Sequence, residues 1–192
     1  MALTRDHVVS TAVELLRRYG LADLSMRRLA RELDVQPGAI YWHVASKQEL
    51  LVEVAAALLA EVPGVREEVP QSEALAALAE LATAVRAALA PVPDAADVVG
   101  MAYAAERASV TALRELRGLV GRAGVPADSC DAVTDLLVHH ILGSVALEQN
   151  ERLAQAGDAG GAGRDGAEVA RSFAVGLEVI VRGLVAAKVS SS

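Results

Sequence analysis

The sequence predicts an all-α protein, and three observations carry that prediction. Apolar residues are 53% of the 192 and are drawn chiefly from Ala, Leu and Val, aromatic residues are only 3%, and the apolar positions recur at the helical spacing i, i+3, i+4, i+7. Small aliphatic side chains with few prolines favour closely packed helices over a sandwich of strands. A chain of this size can bury a core by itself. The expected organisation is a three-helix N-terminal domain over 1–47, a connecting helix over 48–62, and a larger helical domain over 63–192.

Thr4 caps a first helix with an apolar face of Val9, Ala12, Val13 and Leu16, and Gly20 supplies a left-handed stop. Ser25 caps a second helix that buries Met26, Leu29, Ala30 and Leu33 while Arg27, Arg28 and Arg31 point away. After a turn at Asp34 and Val35, Pro37 opens a short third helix expected to reach about His43. SKQE at 46–49 is a capping box before a fourth helix that runs to about Glu61, where Pro63-Gly64 ends it. VREEVPQSE reads as a linker, and Leu75, Leu78, Ala82, Val85 and Leu89 mark a helix closed by PVPD. Further helices are expected at about 95–100, 104–123, 128–156 and 167–188. AQAGDAGGAGRDG, between the last two, reads as a flexible loop.

Two short helices around a tight turn, the second opening with Pro and small residues, read as a helix-turn-helix. Gly38 and Ala39 let the backbone approach a groove, Tyr41 and His43 reach phosphates, Ile40 points into the core, and Trp42 packs at the core's edge. The net charge of −7 is uneven: residues 1–50 hold seven Lys/Arg against six Asp/Glu, so only this N-terminal quarter can face nucleic acid. The last two helices are apolar on nearly all faces and need a second covering surface. A second copy of the chain supplies it, with Ile141, Leu177 and Ile180 at the contact.

LSMRRLARELDVQPGAIYWHVASKQELL, within about 8–54, resembles the TetR family of bacterial transcriptional repressors, and its YWHV is that of the tetracycline-repressor subgroup. HHILGSVALEQNE and FAVGLEVIVRG look like that subgroup's ligand-binding and dimerisation helices. The resemblance implies a homodimer that grips double-stranded, palindromic operator DNA and releases it when a small-molecule effector fills a pocket in the larger, ligand-binding and dimerisation domain. By position it implies that Arg27, Gln36, Pro37, Gly38 and Ala39 face base edges while Tyr41, His43 and Lys47 hold phosphates.

The subgroup's drug and magnesium anchors fall on Pro63, Leu81, Val99 and Ala102, none of which can ligate a metal. The pocket expected instead is walled by Leu81, Val85, Val99, Met101, Ala102 and Leu137, with Glu115, His139 and Glu148 as polar contacts, and it takes a largely apolar effector.

Other functions find less support. Adjacent His139 and His140 point about 100° apart on a helix, so no metal site and no cofactor is expected, and packing or a polar pocket contact is their expected role. No nucleophile–base pair, phosphate loop or paired carboxylates mark an enzyme. A helical protein-interaction adaptor is the alternative, though it would not need an arginine-bearing helix before PGAIYWHV. Cys130, the only cysteine, is expected to be buried. Without a signal-peptide pattern in MALTRDH, and with the run at 173–187 too short to span a bilayer, a cytoplasmic protein that spans no membrane is expected.

Overall fold

The computed structural model describes residues 3–66, 68–157 and 165–189. Among them are nine helices and no strand: α1 (Arg5–Tyr19), α2 (Met26–Glu32), α3 (Pro37–Ile40), α4 (Lys47–Leu58), α5 (Ala74–Leu89), α6 (Ala95–Ala105), α7 (Thr111–Arg122), α8 (Cys130–Gly157) and α9 (Gly166–Val189). The expected caps are in place. Thr4 Oγ1 accepts the His7 N–H at 3.2 Å, Ser25 Oγ accepts that of Arg28 at 3.2 Å, and Ser46 Oγ accepts that of Glu49 at 3.0 Å.

Several boundaries differ from the periodicity. α3 stops at Ile40, three residues early, because 41–43 form a turn. α4 ends at Leu58 rather than near Glu61. α6 runs to Ala105, and a turn separates it from α7 at Thr111. The expected loop at 154–166 has helical ends, and its centre, 158–164, lies outside the described residues.

α1 to α3 form a head around Val8, Leu16, Leu29 and Ile40, each at 0% exposure. α4 leaves the head and packs against both α1 and α6. Gly20 fastens the head to the body. At φ 75 it ends α1 by donating its N–H to the Leu16 carbonyl, and a Cβ there would stand 2.6 Å from an Asp94 carboxylate oxygen. That oxygen accepts the Leu21 N–H at 2.7 Å, so a residue with no side chain is what lets the α5–α6 turn dock on the head.

In the body, α8 packs against α5, α6, α7 and α9. It is tied to α5 by polar bonds. Gln149 Nε2 donates to the Val92 carbonyl at 2.6 Å and Arg152 to that of Ala90 at 2.8 Å, which satisfies carbonyls at the end of α5. Arg86, 8% exposed in the largely aliphatic α5, donates to Ser144 Oγ at 2.8 Å and to the buried Glu148, which also accepts from Arg152. A buried charge is tolerated only when paired and hydrogen-bonded in this way.

The stretch Cys130–Gln155 is long and apolar enough to cross a membrane, but its packing against four helices is that of a core helix. Cys130 is buried, as expected. On α6, the Tyr103 hydroxyl donates to Asp135 of α8 at 2.7 Å and Arg107 donates to the same carboxylate. Burial first, and then the Asp135 carboxylate, push the Tyr103 hydroxyl up to about 12. Arg107 holds the Asp135 carboxyl below its ordinary range.

Candidate nucleic-acid interface

The turn between α2 and α3 is built from backbone constraints. Asp34 adopts φ 53, a left-handed conformation that a short polar side chain tolerates, and Val35 donates its N–H to the Ala30 carbonyl at 3.0 Å. Pro37 then occupies the first position of α3, where its missing N–H costs nothing. The Gln36 side chain makes no capping bond, so its amide stays exposed. Ile40 and Val44, both at 0% exposure, anchor this segment in the head.

The residues between those anchors face outward. Tyr41 is 51% exposed and Trp42 is 89% exposed, which corrects the expectation that Trp42 packs at the core's edge. The cause is its position between two inward anchors. With Ile40 and Val44 both turned inward and the Val44 N–H bonded to the Ile40 carbonyl at 3.0 Å, residue 42 stands about 200° round from Ile40 at roughly 100° per residue, on the solvent side. Pro37 and Gly38 are exposed, and Ala39 and His43 are half-buried.

Charge is distributed to leave cations here. Arg28 is engaged by Asp23 and lies over the Tyr19 ring at 4.0 Å. Arg5 is taken by Glu49 and Glu53, each at 2.6 Å, and the Ala45 N–H and then Arg5 hold the Glu49 carboxyl below its ordinary range. Arg27 and Lys47 are exposed and have no ion-pair partner among the described residues. The helix-turn-helix segment thus carries exposed cations, two outward rings and an exposed amide, a chemistry suited to phosphates and base edges.

The residues expected to wall one pocket do not share one cavity. Val85, Val99 and Leu137 are at 0% exposure and Ala102 at 1%, packed against one another in the core by the close fit of small side chains. Leu81 lines a cavity of about 390 Å³ beneath 63–69, while Met101 lines one of about 590 Å³ at the head. His139 lines a third of about 250 Å³ between α8 and α9. Glu115 accepts the Val65 N–H at 3.2 Å, and Glu148 is committed to Arg86 and Arg152.

Two of the three expected dimer contacts lie inside the subunit. Ile141 at 1% and Leu177 at 5% exposure are buried inside one subunit, and Ile180 is half-buried. The exposed apolar face of these helices is instead Leu136, Leu147, Val175 and Val179. His140 stacks on Phe173 at 4.9 Å between ring centroids, and a Cβ on Gly176 would meet the His140 ring at 2.4 Å. Arg86 was missed in the sequence, although a lone arginine in the last turn of an aliphatic helix is a readable signal.

Residues 8–54 match the bacterial regulatory proteins of the tetR family. An HTH-type transcriptional regulator of Saccharopolyspora erythraea is 47% identical over 60 residues, 31% of this chain and 25% of its own length. The class C tetracycline repressor of Escherichia coli is 47% identical over 57 residues, 30% of this chain and 26% of its length. The chain thus aligns with about a quarter of the length of these curated relatives. The match to BioQ of Mycobacterium smegmatis is longer: 35% identity, TM-score 0.81, with 96% of this chain and 99% of that one covered. A structure of BioQ with its double-stranded DNA operator matches at 34% identity and TM-score 0.75, covering 95% and 98%.

Proposed function

This chain belongs to the tetR family of bacterial regulatory proteins, and from that premise we propose that it is a ligand-responsive transcriptional repressor working on the bacterial chromosome in the cytoplasm. It binds a palindromic operator as a homodimer and is released by a small, largely apolar effector. The observation that carries this reading is the outward display of Tyr41 and Trp42 in a helix-turn-helix whose Arg27 and Lys47 are exposed and have no ion-pair partner among the described residues. The similarity to BioQ, solved on its own operator, supports it over most of the chain.

In this reading residues 1–47 are the DNA-binding domain, 48–62 the connecting helix and 63–192 the effector and dimer domain. Arg27, Gln36, Pro37, Gly38 and Ala39 face base edges. Tyr41, His43 and Lys47 hold phosphates, and Trp42 joins them as an apolar contact to the groove. Two copies meet through Leu136, Leu147, Val175 and Val179 and so set two α3 helices against successive major grooves. Tetracycline with magnesium is not the effector, because Pro63, Leu81, Val99 and Ala102 offer no ligand to a metal.

Mobility-shift titrations over a range of salt test the interface. Lys47→Ala should weaken operator and random DNA alike and make the salt slope shallower by about one unit. Gln36→Ala should instead reduce the preference for operator. A Lys47→Ala variant with altered sequence preference and an unchanged salt slope would overturn the assignment.

A further inference from the structure

The cavity of about 590 Å³ lies where the start of α4 meets the end of α6, beneath the α1–α2 loop. Leu21, Leu51, Met101, Ala104 and Ala105 form its apolar walls, and Lys47 is the only charged residue in its described lining. Met101 is 47% exposed, while its neighbours Val98 and Val99, turned inward from the same helix, are at 0%. The cleft is therefore an open apolar face and not the surface of a filled core. Its walls are fixed in advance. Leu21 is held by its N–H bond to Asp94, and the α6 wall is clamped to α8 through Tyr103 and Asp135.

We infer that this cleft binds an amphipathic monoanion, a medium-chain carboxylate in chemical class, and that its occupation weakens DNA binding. The volume is that of a small-molecule site, where apolar walls supply burial and a few polar groups orient the ligand. The apolar walls take the tail, and the Lys47 ammonium takes the carboxylate.

The inference rests on the reading of Lys47 as a phosphate-holding residue. One ammonium cannot serve a carboxylate in the cleft and a DNA phosphate at full strength, so each ligand lowers the affinity for the other by the same factor. The tail also lodges at the α4–α6 contact, through which the head rests on the body. This site is separate from the cavity beneath 63–69 and from the core around Val99.

The test uses the full chain labelled with ¹³C at its methionine methyls, three in number, with the Met101 resonance assigned through Met101→Leu. Decanoate is titrated below its micellar range, beside decan-1-ol and decylammonium, and operator affinity is measured in parallel. Decanoate should shift the Met101 methyl and leave Met26 unmoved, decanol should bind about tenfold more weakly, and saturating decanoate should weaken operator binding by about tenfold. Ala105→Phe, which fills the cleft, should abolish the shift.

An unmoved Met101 methyl, or decylammonium binding as well as decanoate, would overturn the site. A shift with no change in operator affinity would overturn its link to DNA. A protein that binds no DNA in any condition would instead strike down the repressor reading, with the methyl shift still deciding whether the cleft binds anions.

Discussion

Among the surfaces of this protein that expose large apolar side chains, the tip of the head and the outer face of α8 and α9 differ in chemistry. At the tip of the head, the exposed apolar groups are the rings of Tyr41 and Trp42, in a segment that also carries exposed cations. On α8 and α9 they are aliphatic, Leu136, Leu147, Val175 and Val179, and the nearby charges Glu178 and Arg182 are paired with each other at 2.6 Å. A ring among unpaired cations suits a polyanion with flat bases, whereas an aliphatic face with neutralised charges suits another aliphatic face. The same index, exposure of an apolar side chain, thus points to different partners once the neighbouring charge is included.

The largest expected effects test the aliphatic side of the comparison. Leu177→Asp places a charge in the core of one subunit and should cost several kcal/mol, losing the fold itself. Val179→Asp, on the outer face of the same helix, should leave a folded chain that no longer self-associates. Sedimentation combined with circular dichroism separates the two, and a folded monomer from Leu177→Asp would reverse the assignment of inner and outer faces.

A middle-sized effect is expected where α8 and α9 approach most closely. Gly176→Ala sets a methyl against the His140 ring and should cost about 1–3 kcal/mol through overpacking. The penalty should shrink in a His140→Ala background, read from denaturant midpoints. An equal penalty in both backgrounds would show that α9 and not the His140 contact sets the cost.

The smallest effect on stability belongs to the head. Trp42→Ala should change unfolding free energy by no more than about 0.5 kcal/mol, as exposed substitutions do, while weakening DNA binding. A clear fall in thermal midpoint would return Trp42 to the core and erase the contrast between the two surfaces.

Much of the architecture was legible because its signals are local. Thr4, Ser25, Ser46 and Pro37 mark helix starts by their own chemistry, and each stands where expected. Trp42 is exposed for an equally local reason: two residues past the inward Ile40, a step of roughly 100° per residue turns it away from the core, and its large ring does not override that facing. Ile141 and Leu177 failed differently. A helix apolar on all sides announces that it is covered, but periodicity does not distinguish cover by the same chain from cover by another. The scattered pocket residues needed knowledge of which helices cross where, and that depends on the bulk of Ala, Leu and Val at each crossing rather than on any motif.

Trp42 is the only tryptophan in the chain, and its indole stands almost wholly in water at the surface assigned to DNA. The protein's indole fluorescence therefore comes from one place. Selective excitation of that indole reads the head alone, with emission at the long wavelengths of a solvated ring and strong access to aqueous quenchers. Docking on a nucleic acid would alter both, while unfolding confined to the body would alter neither. The chain carries a site-specific reporter that needs no label and no mutation.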